Sequence, residues 1–207
     1  MQRRLILTGL AALAATPALA QSSPATSTGS GTPANPQSPA PAPAMKMAGP
    51  LSASPAAEAH MKDTMAAGSL SLALSRIAQP KVKHAMLKQF AGFEIAEQET
   101  IADILKGMMM PGATPTGTVT APTEAELMGN LDPAGKASVE KMRAMKAGAE
   151  FDKAYIKAQV DGHRKLLEIQ EAYLAKPDNA DETNVAKLAR GQIKEHLTLL
   201  ADLEKAG

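Results

Sequence analysis

The sequence predicts an all-α bundle of four long helices, and three observations carry that prediction. From about residue 55 onward the chain is rich in Leu, Met, Ala, Glu, Lys and Gln, the residues that cost least in a helix. Apolar side chains recur there at three- and four-residue intervals, without the β-branched alternation of strands. Proline and glycine fall at a few places only, leaving four long stretches with an extended connection between the second and third. Four-helix bundles use such a connection as a crossover.

The elements follow in chain order. Residues 1–20 read as a signal peptide, with a basic start at Arg3 and Arg4, a short apolar run from Leu5, and an Ala18-Leu19-Ala20 cleavage site. The apolar run is shorter than a spanning helix needs, and nothing later replaces it, so no transmembrane segment is expected in the mature chain. Arg3-Arg4 leaves the twin-arginine export route open beside the general one. Residues 21–54 are Ser, Thr, Pro, Ala and Gly with almost no charge. That composition buries too little apolar surface to offset the entropy of ordering, and it reads as a disordered linker.

Residues 55–207 form the helical-bundle domain. Ser54 caps a first helix with Pro55 at its first position, running to about Ala78. Pro80 breaks the chain, and a second helix is expected from Lys81 to about Lys106, ending at Gly107. Residues 112–122 read as loop. Thr123 and Glu126 form a capping box for a short helix, and Asp132-Pro133 starts another that ends near Gly148. The remaining long helices are expected from Ala149 to Ala175 and from about Asp178 to the C-terminus.

The chain contains no cysteine, which excludes disulfides and thiolate metal sites. Removing the leader leaves 20 of the 22 basic side chains against 21 acidic ones, so the mature chain is near neutral and nothing recommends nucleic acid as a partner. No nucleophile with an adjacent base and no Gly-rich phosphate loop is present.

Function is carried by polar residues at positions where the pattern expects apolar ones. Val82, Met86, Phe90, Phe93, Glu97, Ile101 and Ile104 fall on one stripe of the second helix, with Glu94 on its flank. Val185, Leu188, Gln192, His196, Leu199 and Leu203 form the stripe of the last. His163 sits on the flank of the arc that includes Phe151, Tyr155, Leu166 and Tyr173. An unpaired imidazole or carboxylate in a core costs several kcal/mol, on the order of 2–7 for polar groups and more for charges. Glu97, Gln192, His163 and His196 are therefore expected as a buried polar cluster, and Glu94, Glu97, His163 and His196 as candidate ligands for iron or manganese. His60 and His84 read as solvated, and Glu99, Asp103, Asp152, Glu168 and Glu195 as outward charges.

Methionines at 45, 47, 61, 65, 108–110, 142 and 145 offer thioethers suited to Cu(I), although methionine is also the adaptable filler of aromatic-poor cores.

Gly68-x-Leu-x-Leu-x-Leu-x-x-Ile-Ala78, Phe90-Ala91, Phe151-Asp-x-x-Tyr155 followed by His163, and His196-Leu197 together resemble the exported bacterial family called domain of unknown function 4142. The resemblance covers roughly residues 57–203. It implies a ferritin-like four-helix bundle, often labelled an outer membrane protein, with no established activity. Two departures stand out: Glu97-Gln98 replaces the family's Asp-His, and Arg190-Gly191 replaces its Leu-Pro, so one family histidine is missing. These readings lead to a non-enzymatic exported protein of the cell envelope, periplasmic or outer-membrane associated, with an unknown envelope partner. The alternatives are a metal-binding bundle using Glu97, His163 and His196, and a methionine-based Cu(I) binder.

Overall fold

The computed structural model describes residues 54–206, other than Pro111, Ala113 and Pro115. The expected signal peptide and most of the expected linker lie outside the described residues. Six helices follow in order: α1 (Pro55–Ala78), α2 (Ala85–Met109), α3 (Glu124–Asn130), α4 (Pro133–Ala144), α5 (Ala149–Ala175) and α6 (Ala180–Ala206). None of the described helices is long and apolar enough to cross a membrane.

Local chemistry sets most of the boundaries. Ser54 Oγ accepts the Ala57 N–H and Pro55 occupies the first turn of α1. Thr123 and Glu126 close the capping box of α3, and Asp132 accepts from Gly135 N–H at the start of α4. The second helix begins four residues later than expected, and Lys81 lies in the turn before it. Its ammonium donates to the carbonyls of Arg143 (2.7 Å) and Met145 (2.9 Å), closing the C-terminal end of α4, and lies 5.2 Å over the Phe151 ring. At the other end α2 runs through Gly107 to Met109.

Hydrogen bonds between helices give the directions. Ser75 meets Tyr155, Ser71 meets Gln159, and Gln170 meets Thr64, so α1 and α5 are antiparallel. The α1–α2 pair is antiparallel as a hairpin, with Ser71 on Glu94 and Gly68 against Gln98. The α5–α6 pair is antiparallel too, with His163 beside His196 and Leu166 packed with Ala189 and Ile193. Hence α1 and α6 run one way and α2 and α5 the other, and α3 and α4 carry the chain back across α1. Of the neighbouring long helices, α2 and α6 approach least closely.

The main core gathers Leu72, Leu74, Leu87, Phe90, Phe151, Tyr155, Val160 and Leu200 with Leu127 and Val139 from the crossover. Met61 and Met142 are buried, the filler role open to them from the sequence. Gly68 permits a close approach, since a Cβ there would stand 2.5 Å from Gln98 Oε1.

The register of two stripes differs from expectation. On α2 the inward residues are Leu87, Phe90, Ala91, Glu94, Gln98 and Leu105, while Phe93 is 49% exposed and Met86 and Ile104 also face out. On α6 the inward set is Glu182, Ala186, Ala189, Ile193, His196, Leu200 and Leu203, and Leu188 is 72% exposed. Both helices carry more apolar residues than one stripe holds, so counting them does not locate the centre. The centre is fixed by which polar side chains find partners inside.

Candidate functional site

Glu94 of α2, His163 of α5 and His196 of α6 meet at mid-height in the bundle, all buried. Glu94 Oε2 stands 3.2 Å from His163 Nε2 and 3.0 Å from His196 Nδ1, and the two ring nitrogens are 3.0 Å apart. Three potential ligand atoms thus form a nearly equilateral triangle. Ligand atoms at ordinary first-row metal distances stand about 3.0–3.5 Å from one another, so the triangle already has the spacing of one face of a coordination sphere.

The far side of each residue is held in place. His163 Nδ1 donates to the Gln159 carbonyl at 2.8 Å, one turn back on the same helix. His196 Nε2 lies 3.2 Å from Glu97 Oε2. Glu94 Oε1 accepts from Ser71 Oγ at 2.5 Å. Ser71 Oγ is also 2.6 Å from Gln159 Oε1, and its single proton goes to the carboxylate as the stronger acceptor. Gln159 is fixed by donating to Ser75 Oγ (3.1 Å), which pairs with the Tyr155 hydroxyl (2.8 Å). Burial drives the Tyr155 phenol well above its ordinary value, so it stays protonated.

Counting protons shows what the triangle lacks. With Nδ1–H of His163 committed to Gln159 and Nε2–H of His196 facing Glu97, neutral rings turn two lone pairs on Glu94 Oε2. Despite the short distances, Oε2 is buried and accepts no well-formed hydrogen bond. Such an atom costs free energy unless something positive joins the cluster. A proton is one answer. Burial alone would push the His196 imidazolium down, but hydrogen bonds to Glu94 and Glu97 and their charges outweigh it and hold His196 up at about 9. Burial would likewise push Glu94 up, but the close imidazoles of His163 and His196 and the hydrogen bond from Ser71 hold it well below the usual carboxylate range. A divalent cation is the other answer: it offsets the charges of Glu94 and Glu97 together, where one proton leaves a net negative cluster.

The His196 value sets a pH prediction for the metal-free protein. A histidine raised on folding contributes stability that is fully present below its unfolded value of 6.5 and is lost as pH rises through about 9. Chemical denaturation of chelator-treated protein should therefore show stability falling between those pH values, and a flat profile would contradict the imidazolium.

The sequence-derived candidates divide accordingly. Glu94, His163 and His196 come together. Glu97 is corrected from a core position to the rim: its side chain is 29% exposed and it touches the back of His196 rather than the triangle. Gln192 is half-buried and lines a small cavity beside His196 instead of joining the hydrogen-bonded cluster. His84 is exposed as read, but His60 is not. It is buried, stacked on Tyr173 at 4.4 Å, with Nδ1 on Glu182 Oε1 and Nε2 2.9 Å from Gln170 Oε1. Sequence reasoning also missed Ser71, Gln159, Gln170 and Glu182. The available signal was a run of small polar residues on α1, Thr64, Ser71 and Ser75, at helical spacing on a helix packed against both α2 and α5.

The family model described as Domain of unknown function (DUF4142) matches residues 40–203, from within the stretch read as linker to the last turns of α6. No curated protein and no solved structure matches the chain.

Proposed function

We propose that this chain, which belongs to the family of domain of unknown function 4142, binds one divalent transition-metal ion through Glu94 Oε2, His163 Nε2 and His196 Nδ1. The observation that carries the reading is the convergence of three buried ligand atoms at 3.0–3.2 Å while the other polar atom of each residue is taken. Metal-bound histidines and carboxylates are held in this way by outer partners: a backbone carbonyl behind one ring, a carboxylate behind the other, a hydroxyl behind the carboxylate. Two histidines and one carboxylate with open positions suit iron(II) first. Zinc and manganese are the competing ions.

Elemental analysis of the mature protein, purified from its native compartment without chelators or a metal-binding tag, tests this. About one iron per chain is expected. A metal-free protein that unfolds cooperatively and takes up no Fe(II), Mn(II) or Zn(II) would overturn the reading. Glu97→Gln should keep the ion but weaken its affinity by roughly 10–100-fold, the usual scale for a partner behind a ligand histidine, as read by chelator competition.

A second reading, a non-enzymatic envelope protein in which the cluster only specifies the core, is favoured by one observation. With His196 held at about 9, a proton can take the place of the metal. The leader-like start supports export to the periplasm under either reading. The direction pattern of the four helices, with its mid-chain crossover, supports the ferritin-like plan. The methionine-copper reading has less support, since Met61 and Met142 are spent in the core and Met109 and Met110 are exposed at the end of α2.

A further inference from the structure

Packing explains only part of the Phe151-Asp-x-x-Tyr155 motif. Both rings are buried in the main core, but the Tyr155 hydroxyl meets Ser75 Oγ at 2.8 Å, and from there a row of polar groups runs back to Glu94. Ser75 Oγ lies 3.1 Å from the Gln159 amide, that amide 2.6 Å from Ser71 Oγ, and Ser71 Oγ 2.5 Å from Glu94 Oε1. Tyr155, Ser75, Gln159, Ser71 and Glu94 are all buried, so these groups must satisfy one another.

We infer that Tyr155 is a positioning residue for the metal site, acting on Glu94 through Ser75, Gln159 and Ser71. The inference rests on the metal reading above. Proton counting gives the row its direction. Among the described residues the Tyr155 hydroxyl pairs with Ser75 Oγ alone, so its proton goes there. At the other end the Ser71 proton is taken by the Glu94 carboxylate. With Gln159 Oε1 toward Ser71, two oxygens then stand 2.6 Å apart with no proton between them. Turning the amide over from the orientation described above removes the conflict, since its nitrogen and oxygen are told apart only by the hydrogen bonds they make. Nε2 then donates to Ser71 Oγ, and Oε1 accepts the Ser75 proton. The Ser71 carbonyl gives up a long bond of 3.3 Å from the amide and keeps its place in the ladder of α1.

Every member of the row now donates toward Glu94, and each bond polarises the next. Ser71 is thereby held on Oε1, which keeps Oε2 turned to His163 Nε2 and His196 Nδ1. Tyr155 sets the direction, because its proton satisfies Ser75 Oγ and leaves the Ser75 proton for Gln159. Without the phenol, Ser75 Oγ takes a donor from the amide instead. Gln159 turns back, and Ser71 loses the donor behind it.

The test is a double-mutant cycle on metal affinity, read by chelator competition once loading of the unsubstituted mature protein has been measured. Tyr155→Phe removes one oxygen and keeps the buried ring. It should weaken affinity by roughly 3–10-fold, the ratio that corresponds to one neutral hydrogen bond. Ser71→Ala should weaken it by roughly 10–100-fold. The double variant should match Ser71→Ala, because Tyr155 acts only through Ser71, whereas a role in packing alone would make the two losses multiply. Ser75→Ala, which breaks the same row without touching the ring, should repeat the Tyr155→Phe result. In NMR spectra of the zinc-loaded protein, cross-peaks from the Gln159 amide protons to the Ser71 β-protons are expected, replaced in Tyr155→Phe by cross-peaks to Ser75. A protein that takes up no Fe(II), Mn(II) or Zn(II) overturns the metal reading and this inference with it. Full loading with unchanged affinity in Tyr155→Phe and Ser75→Ala, with losses that multiply, or with Gln159 cross-peaks to Ser75 before any substitution overturns this inference and leaves the metal reading standing.

Discussion

Glu94→Gln should empty the site while leaving the bundle folded. The amide keeps the shape of the carboxylate and can still meet the Ser71 hydroxyl, which now stands 2.5 Å from Oε1. It removes the charge and turns one oxygen into a weak or wrong-signed ligand facing His163 Nε2 and His196 Nδ1. Two imidazoles remain, and two neutral ligands in a buried site hold a dication poorly because nothing nearby offsets its charge. Affinity should fall by roughly 100-fold or more, beyond the 10–100-fold expected from the outer partners. Dialysed protein should then carry no stoichiometric metal while keeping its helical circular dichroism. Retention of a full equivalent by folded Glu94→Gln would move the site away from the triangle altogether. The distinction from Glu97→Gln matters, because the sequence places Glu97 on the stripe and Glu94 on its flank, whereas the structure exchanges them.

That exchange shows how far the sequence could be read. The start of α1, the capping box of α3 and the Asp132-Pro133 start of α4 are written locally, in side chains that bond the backbone within one turn, and all three were legible. The compartment of His163 and His196 was legible too, since each sits where a helix period calls for an apolar residue. The register of α2 was not. Phe93 and Ile104 are apolar yet outward, and Glu94 is polar yet inward, because Ser71, His163 and His196 supply its partners from three other helices. A partner 23, 69 or 102 positions away leaves no mark in a local hydrophobic pattern. His60 was misread for the same reason: its partners Gln170 and Glu182 lie on other helices, and the residues around it on α1 are small or charged.

The His60–Glu182 pair should behave in the opposite way from the triangle, with a large effect on stability and none on metal content. His60 Nδ1–H meets the Glu182 carboxylate, and its Nε2 accepts from Gln170 once the amide is turned with its NH2 toward the ring, the amide oxygen then accepting from the Thr64 hydroxyl 3.0 Å away. Glu182 is tolerated inside because it sits in the first turn of α6, with its own N–H on Asn179 Oδ1 at 3.0 Å and the helix dipole behind it. One carboxylate oxygen still goes without a partner, so the arrangement has no margin. His60→Ala strands a buried carboxylate and removes the ring stacked on Tyr173. The cost should be about 3–5 kcal/mol, the range for breaking a buried pair from one side. Replacing both partners together, with His60→Leu and Glu182→Leu, should recover most of that loss, since apolar side chains of similar volume ask for no partner. Denaturant midpoints of the single and double variants measure this. A single-variant cost under about 1 kcal/mol would mean that water reaches Glu182. Loss of bound metal in folded His60→Ala would mean that the two polar clusters act as one. Without such coupling, the bundle keeps two separate buried acid–imidazole groups, each with one carboxylate oxygen left without a partner: one holds α1 to α5 and α6, the other brings three ligand atoms to one point.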